Sequence, residues 1–160
     1  MKRFLTFFIL MFFIVGCAKD YYYRSEKKII SDENVEINFL VNIQFINISI
    51  KNKTSKIIKV IWDECAFINQ LGESFRIAPP FVPLSVAYQP KTPTIIAPNG
   101  IDNNLLKTSG IISVKGEKAA KKLIGLKIGL IITISIDNIK KSFYSEAEIK
   151  DVFAPEARLY

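Results

Sequence analysis

The one side chain in this sequence whose placement alone points to covalent chemistry is Cys17. Its thiol closes a leader that opens on Lys2 and Arg3, runs almost wholly apolar from Phe4 to Val15 and narrows to Gly16. A thiol is a nucleophile able to carry a thioether, and a small residue before it leaves a peptidase room at the preceding bond. Cys65, far along the chain, then has no intramolecular partner, and its expected role is that of a small buried apolar side chain. Little else here suits catalysis. The chain has no histidine, which removes the commonest general base and neutral metal ligand and makes Ser-His-Asp and Cys-His arrangements impossible. Asp63 and Glu64 are neighbours on an expected strand, so their carboxylates point to opposite faces. Asp32-Glu33-Asn34, Asp102-Asn103-Asn104 and Asp137-Asn138 lack the spacing of a calcium loop and read as turns. The expectation is a chain that is not an enzyme and takes no cofactor or metal.

Ile14-Val15-Gly16-Cys17, at the end of that charged-then-apolar leader, resembles the lipobox of bacterial lipoproteins. The resemblance implies diacylglycerol on the Cys17 thiol, cleavage just before Cys17 and acylation, commonly with palmitate, of the new amino terminus. The apolar run is about a dozen residues against the roughly 20 that span a hydrocarbon core, so a permanent transmembrane helix fits less well. Two or three acyl chains anchor firmly, each buried methylene contributing about 0.8 kcal/mol. The partner so implied is a membrane, reached through lipid. Ala18 lacks the Asp that often marks inner-membrane retention, which favours an outer membrane if the cell has one and the outer face of the plasma membrane otherwise.

The formal charge of +7 falls to +5 once Lys2 and Arg3 leave with the leader. A basic surface suits anionic lipid or cell wall. Nucleic acid is not expected, because no aromatic-and-basic ladder or recognition-helix pattern accompanies the lysines. The organisation expected is a signal peptide over 1–16, the lipidated cysteine and a charged tether over 17–35, one domain over 36–153 and a tail over 154–160. Within the tether, Tyr21-Tyr22-Tyr23 suits either the headgroup level of a membrane or the start of a first strand.

The domain reads as strands. Ile37, Phe39, Val41, Ile43 and Phe45 alternate with mostly polar neighbours, after which the apolar set moves to Ile46, Ile48 and Ile50. That change of parity predicts a turn around Asn42 or a β-bulge. Asn52 to Ser55 reads as a polar turn, and Ile57 to Asp63 as a central strand whose Trp62 fills the space between two sheets. Ala66–Asn69 and Ser74–Ile77 predict a hairpin with Gly72 at positive φ. IIKVIWDECAFINQLGESFRIAP, followed by PTIIAPNGID, is similar to small bacterial lipoproteins carrying an immunoglobulin-like β-sandwich. The likeness covers Ile46 to Asp102 and implies a fold without catalytic residues.

Six of the seven prolines fall between Ala78 and Gly100, which predicts a long loop with a short edge strand at Thr94 to Ala97. Phe81, Val82, Leu84, Val86 and Tyr88 on that loop either cover the core or form the candidate partner surface. Ile101 to Leu106 reads as another strand, and Glu117 to Lys122 as a helix of a turn or two. Ile124 to Ile136 places every second residue, all Ile or Leu, on one face, and Asp137 to Lys140 turns the chain into a last strand ending near Phe153. The pattern predicts an immunoglobulin-like antiparallel β-sandwich of about seven to nine strands. The function expected is that of an interaction or structural module in the bacterial cell envelope, binding another envelope protein or a wall polymer. The alternative is a small-ligand or glycan-binding carrier with Trp62 lining a cleft.

Overall fold

The structure is a computed structural model and describes residues 19–42, 45–79, 89–111 and 113–154. Twelve strands run in the order β1 (Asp20–Ser25), β2 (Lys28–Ser31), β3 (Val35–Asn42), β4 (Phe45–Asn52), β5 (Ile58–Val60), β6 (Ala66–Ile68), β7 (Ser74–Arg76), β8 (Thr94–Ile96), β9 (Ile101–Lys107), β10 (Val114–Lys115), β11 (Lys127–Ile136) and β12 (Ile139–Phe153). One short helix, α1, spans Glu117–Lys121. Every pairing is antiparallel. One layer is built on β11, flanked by β12 on one edge and by β5 and β6 on the other, with β8 and β7 outside them. The second layer is β1 and β2 beside β3, then β4, then β9. Long β12 joins the two, because its first ten residues pair with β11 and its end turns over to pair with β1. The sheet thus curls on itself as an all-β antiparallel sandwich around one core.

Alternation decides which residues enter that core. Across β3 and β4 the pairs Ile37↔Ile50, Phe39↔Ile48 and Val41↔Ile46 are all buried. Asn42 stands opposite Phe45, so a hairpin turn accounts for the parity change and no bulge is needed. In the β11–β12 hairpin, Asp137 and Asn138 both have positive φ, 49° and 65°. Those are the central residues of a type I′ turn, whose twist matches that of the strands it joins. Ile128, Leu130, Ile132 and Ile134 face inward opposite Ala147 and Phe143. Gly72, at φ 80°, closes the expected β6–β7 hairpin.

Three expectations are corrected. The tether over 17–35 is not a tether in its described part, because β1 and β2 are integral strands and Tyr23 and Ser25 are buried. The Ser25 hydroxyl accepts the Val41 N–H at 3.0 Å, which binds this segment to β3. Of the two roles open to the tyrosine run, the first strand is the one adopted. Second, the described residues form twelve strands, more than the seven to nine expected, because β1 and β2 lie in the segment expected as a tether and two-residue β10 is too short to show a period. Third, the strand expected from Ile124 begins only at Lys127. Gly125, at φ 88°, gives its N–H to the Ile149 carbonyl and ends the helical run there, leaving Ile124 and Leu126 exposed.

The segment from Ile57 to Asp63 is likewise only partly strand. β5 lies between β11 and β8, but the chain then enters a single 3-10 turn over Trp62–Glu64. Trp62 points into the core, 1% exposed.

Candidate functional site: an amide-lined groove on the outer sheet face

A groove of about 540 Å³ lies on the outer face of β3, β4 and β9. Register explains its lining. Asn38 pairs with Ser49, and Ser49 with Asn103; one step along, Leu40 pairs with Asn47, and Asn47 with Leu105. Because paired residues project to the same side, these form two rows across three strands, on the face opposite Phe39 and Ile48. Lys27, in the link between β1 and β2, overhangs them. Asparagine is depleted in strands, so amides at the outward positions of three neighbouring strands call for a reason other than sheet stability.

Most of the amide capacity is free. Asn38 donates to the Glu36 carboxylate at 3.0 Å, whereas Asn47 and Asn103 have no side-chain partner among the described residues. Leu105 is half exposed and supplies an apolar wall. Asn47 and Ser49 stand two residues apart along β4, about 6.6 Å, which is the repeat of same-side residues in any extended peptide lying along it. Phe39 is buried beneath the groove, and Phe45, one same-side step from Asn47 along β4, has the Lys107 ammonium 5.8 Å from its ring centre. The chemistry on offer is neutral hydrogen bonding with one ammonium at the rim.

The residues singled out in the sequence are spread elsewhere. Cys17, Phe81, Val82, Leu84, Val86 and Tyr88 lie outside the described residues. Cys65 is buried; its thiol donates to the Ile61 carbonyl at 3.3 Å and accepts the Thr133 N–H at 3.4 Å. Burial pushes its pKa up to about 11, which leaves it a neutral thiol without nucleophilic character. Trp62 gives its indole N–H to the Thr94 hydroxyl at 2.8 Å, so its one polar group is satisfied inside the core.

Asp63 and Glu64 do not form an acid pair. Asp63 accepts the Lys91 backbone N–H at 3.1 Å, and Glu64 pairs with Lys140. Asp32 accepts the N–H groups of Asn34 and Val35, each at 2.8 Å, and is paired with Lys141. Partial burial raises its pKa, and these bonds outweigh that and hold it below the ordinary carboxylate value. Asp102 sits on the inward side of edge strand β9, where burial raises its pKa against the lowering effect of its bond from Asn104. A carboxylate aimed inward on an edge strand is a known device against edge-to-edge pairing. Among the described residues no three or more Cys, Asp or Glu come together as a metal site would require.

The groove was not foreseen from the sequence. Its signal was the unusual Asn content of outward strand positions, readable only once the register of 38, 47 and 103 is known.

Fold and groove together define an all-β sandwich that carries an amide-lined groove on one outer sheet face. No protein-family model matches the chain, and no curated protein matches it. Among solved structures, the GAE domain of GGA2p from Saccharomyces cerevisiae is similar at 14% identity with a TM-score of 0.39, over 79% of this chain and 98% of that one. A likeness at that level carries no argument about function.

Proposed function

We propose that the chain is a bacterial envelope lipoprotein, held to the membrane by lipid on Cys17, whose β-sandwich is a non-enzymatic interaction module. In this reading its groove receives an extended segment of another envelope protein. The observation that carries the binding role is the pair of amides, Asn47 and Asn103, left without partners beside exposed Leu105. An extended peptide presents N–H and C=O groups at the spacing of Asn47 and Ser49 and an apolar side chain for Leu105. A wall polymer is the weaker occupant, since sugar rings are commonly held by stacking on aromatics and the ring beside the groove, Phe45, already carries Lys107. The carrier reading is the weaker one, because the Trp62 indole, which lines a small cleft with Pro79, Pro90 and Thr94, is almost wholly buried and already gives its N–H to Thr94.

Capture from envelope extract with the tagged full chain tests this. The Asn47→Ala, Asn103→Ala double variant should retain its thermal midpoint and bind the captured protein at least tenfold more weakly, at about 1 kcal/mol for each lost hydrogen bond. Unchanged capture sinks the groove as the site. Loss of capture on changing Phe81, Val82, Leu84, Val86 and Tyr88 to Ser, with the groove intact, moves the site to the proline-rich loop. Loss of capture after glycan digestion alone points to the wall polymer.

A further inference from the structure

The correction at the amino terminus has a spatial consequence. β1 begins at Asp20, and the Lys19 carbonyl already accepts the Gly116 N–H at 3.1 Å. Asp20 and Tyr21 pair with Lys115 and Val114 of β10, and α1 follows directly. The Cα of Cys17 therefore lies within about 7 Å of the Cα of Lys19, the reach of two fully extended residues. No slack remains to lift the domain away, so the end of the sandwich beside Lys19 is the end that meets whatever Cys17 is fixed to.

That end is basic and partly apolar. Lys19, Lys115, Lys118 and Lys122 are exposed, and none of them has a carboxylate within ion-pairing distance among the described residues. Lys121 is paired with Glu117 at 2.6 Å. The remaining nearby acid, Asp20, accepts the Ser113 hydroxyl at 3.4 Å. Ile124, 46% exposed, and Leu126, 40% exposed, stand beside these lysines where the third fold correction left them. At the far end of β11, about 30 Å away along the strand, Lys56, Lys140 and Lys141 are paired with Asp137, Glu64 and Asp32, while exposed Lys59 has no ion pair among the described residues. At the anchor end Lys121 and Lys127 are paired with Glu117 and Glu146, so the uncompensated cations there are the four grouped around Lys19.

We propose that the face formed by Lys19, Lys115, Lys118 and Lys122 with Ile124 and Leu126 docks on the anionic phospholipid headgroups around the anchor and fixes how the sandwich stands on the membrane. The proposal rests on attachment at Cys17. It adds the orientation, which points the 137–138 end away from the membrane. Lysines held within a Debye length of an anionic leaflet feel its potential, and the exposed Ile and Leu side chains bury in the boundary region.

The test uses the full-length protein, purified from membranes and reconstituted into vesicles, with a single reporter cysteine at Ala119→Cys on α1 or Ile139→Cys at the far hairpin. Cys65 is buried and does not compete for the fluorophore. With a quencher on the lipid headgroups, the reporter at 119 should be quenched severalfold more than that at 139 in vesicles containing phosphatidylglycerol. The difference should narrow, by more than the short anchor alone allows, in phosphatidylcholine alone, at high salt, and in the Lys115→Gln, Lys118→Gln, Lys122→Gln variant; a difference of the same size in all of these would show that the anchor alone sets it and would overturn the docking. Each lysine shifts the docked population by on the order of fivefold, so three together shift it by about a hundredfold. Equal quenching at the two positions in the anionic vesicles overturns the docking. The mass of the amino-terminal peptide from the same preparation reports separately whether Cys17 is acylated, so a failed anchor is not mistaken for a failed face.

Discussion

Replacing Asn52 with leucine is expected to lower the unfolding free energy by about 3 kcal/mol. Asn52 ends β4 with no exposed surface, and its side chain is the junction of two connections. Its Nδ2 donates to the carbonyls of Lys56 at 2.7 Å and Ala97 at 2.9 Å, with a longer contact to Ile96 at 3.3 Å. Its Oδ1 accepts the backbone N–H of Thr54 at 2.9 Å and the Thr54 hydroxyl at 2.8 Å. The link from β4 to β5 is thereby tied to the link from β8 to β9. Leucine has similar volume but no polar atoms, so the substitution leaves the Ile96 and Ala97 carbonyls and the Thr54 N–H without their partner. Leaving one such buried group unsatisfied costs about 1–3 kcal/mol, and exposure at Thr54 and Lys56 lets water recover part of the total. Urea denaturation should show a lower midpoint with an unchanged slope. A loss below about 1 kcal/mol would mean that water replaces the amide and that the junction does not hold the two connections together.

Trp62→Ala is expected to cost about 4 kcal/mol, the upper part of the range for large-to-small core changes, because the side chain is almost wholly buried and a rigid sandwich collapses poorly around the space it leaves. Trp62→Phe should restore most of that and retain only the loss of the bond to Thr94, about 1 kcal/mol. In the wild type the indole fluorescence should be blue-shifted and resistant to aqueous quenchers. Ready quenching by iodide would place the ring at a surface and return the carrier reading to consideration.

What alternation could and could not reveal explains how far the sequence carried. β3, β4 and the β11–β12 hairpin were readable because their inward positions are filled by large aliphatic or aromatic side chains while outward positions are polar. β1 was not, because Tyr21, Tyr22 and Tyr23 put similar side chains on both faces and a serine, Ser25, occupies the next inward position. The same limit hid Asn52, an inward polar residue that reads as part of a turn. Ile124 and Leu126 misled in the other direction, since they continue the β11 period but are cut off from the strand by the backbone at Gly125. The fold class survives such errors because the remaining inward residues outnumber them.

The groove is a different case. Asn38, Asn47 and Asn103 come from three strands, and alternation says only that each faces outward. Their meeting depends on register between distant segments, which hydrophobic period does not encode. The proposed anchor is the opposite case: the residues that suggest it, Ile14 to Cys17, are contiguous and need no register to be read.

The account turns on attachment at Cys17, and the mass of the amino-terminal peptide recovered from the membrane fraction tests it most directly. The expected result is a peptide that begins at Cys17 and carries diacylglycerol on its thiol, with the Cys17→Ser chain recovered unlipidated and still bearing Met1 to Gly16. A wild-type peptide that keeps the leader, or one cut elsewhere with an unmodified Cys17, would contradict it.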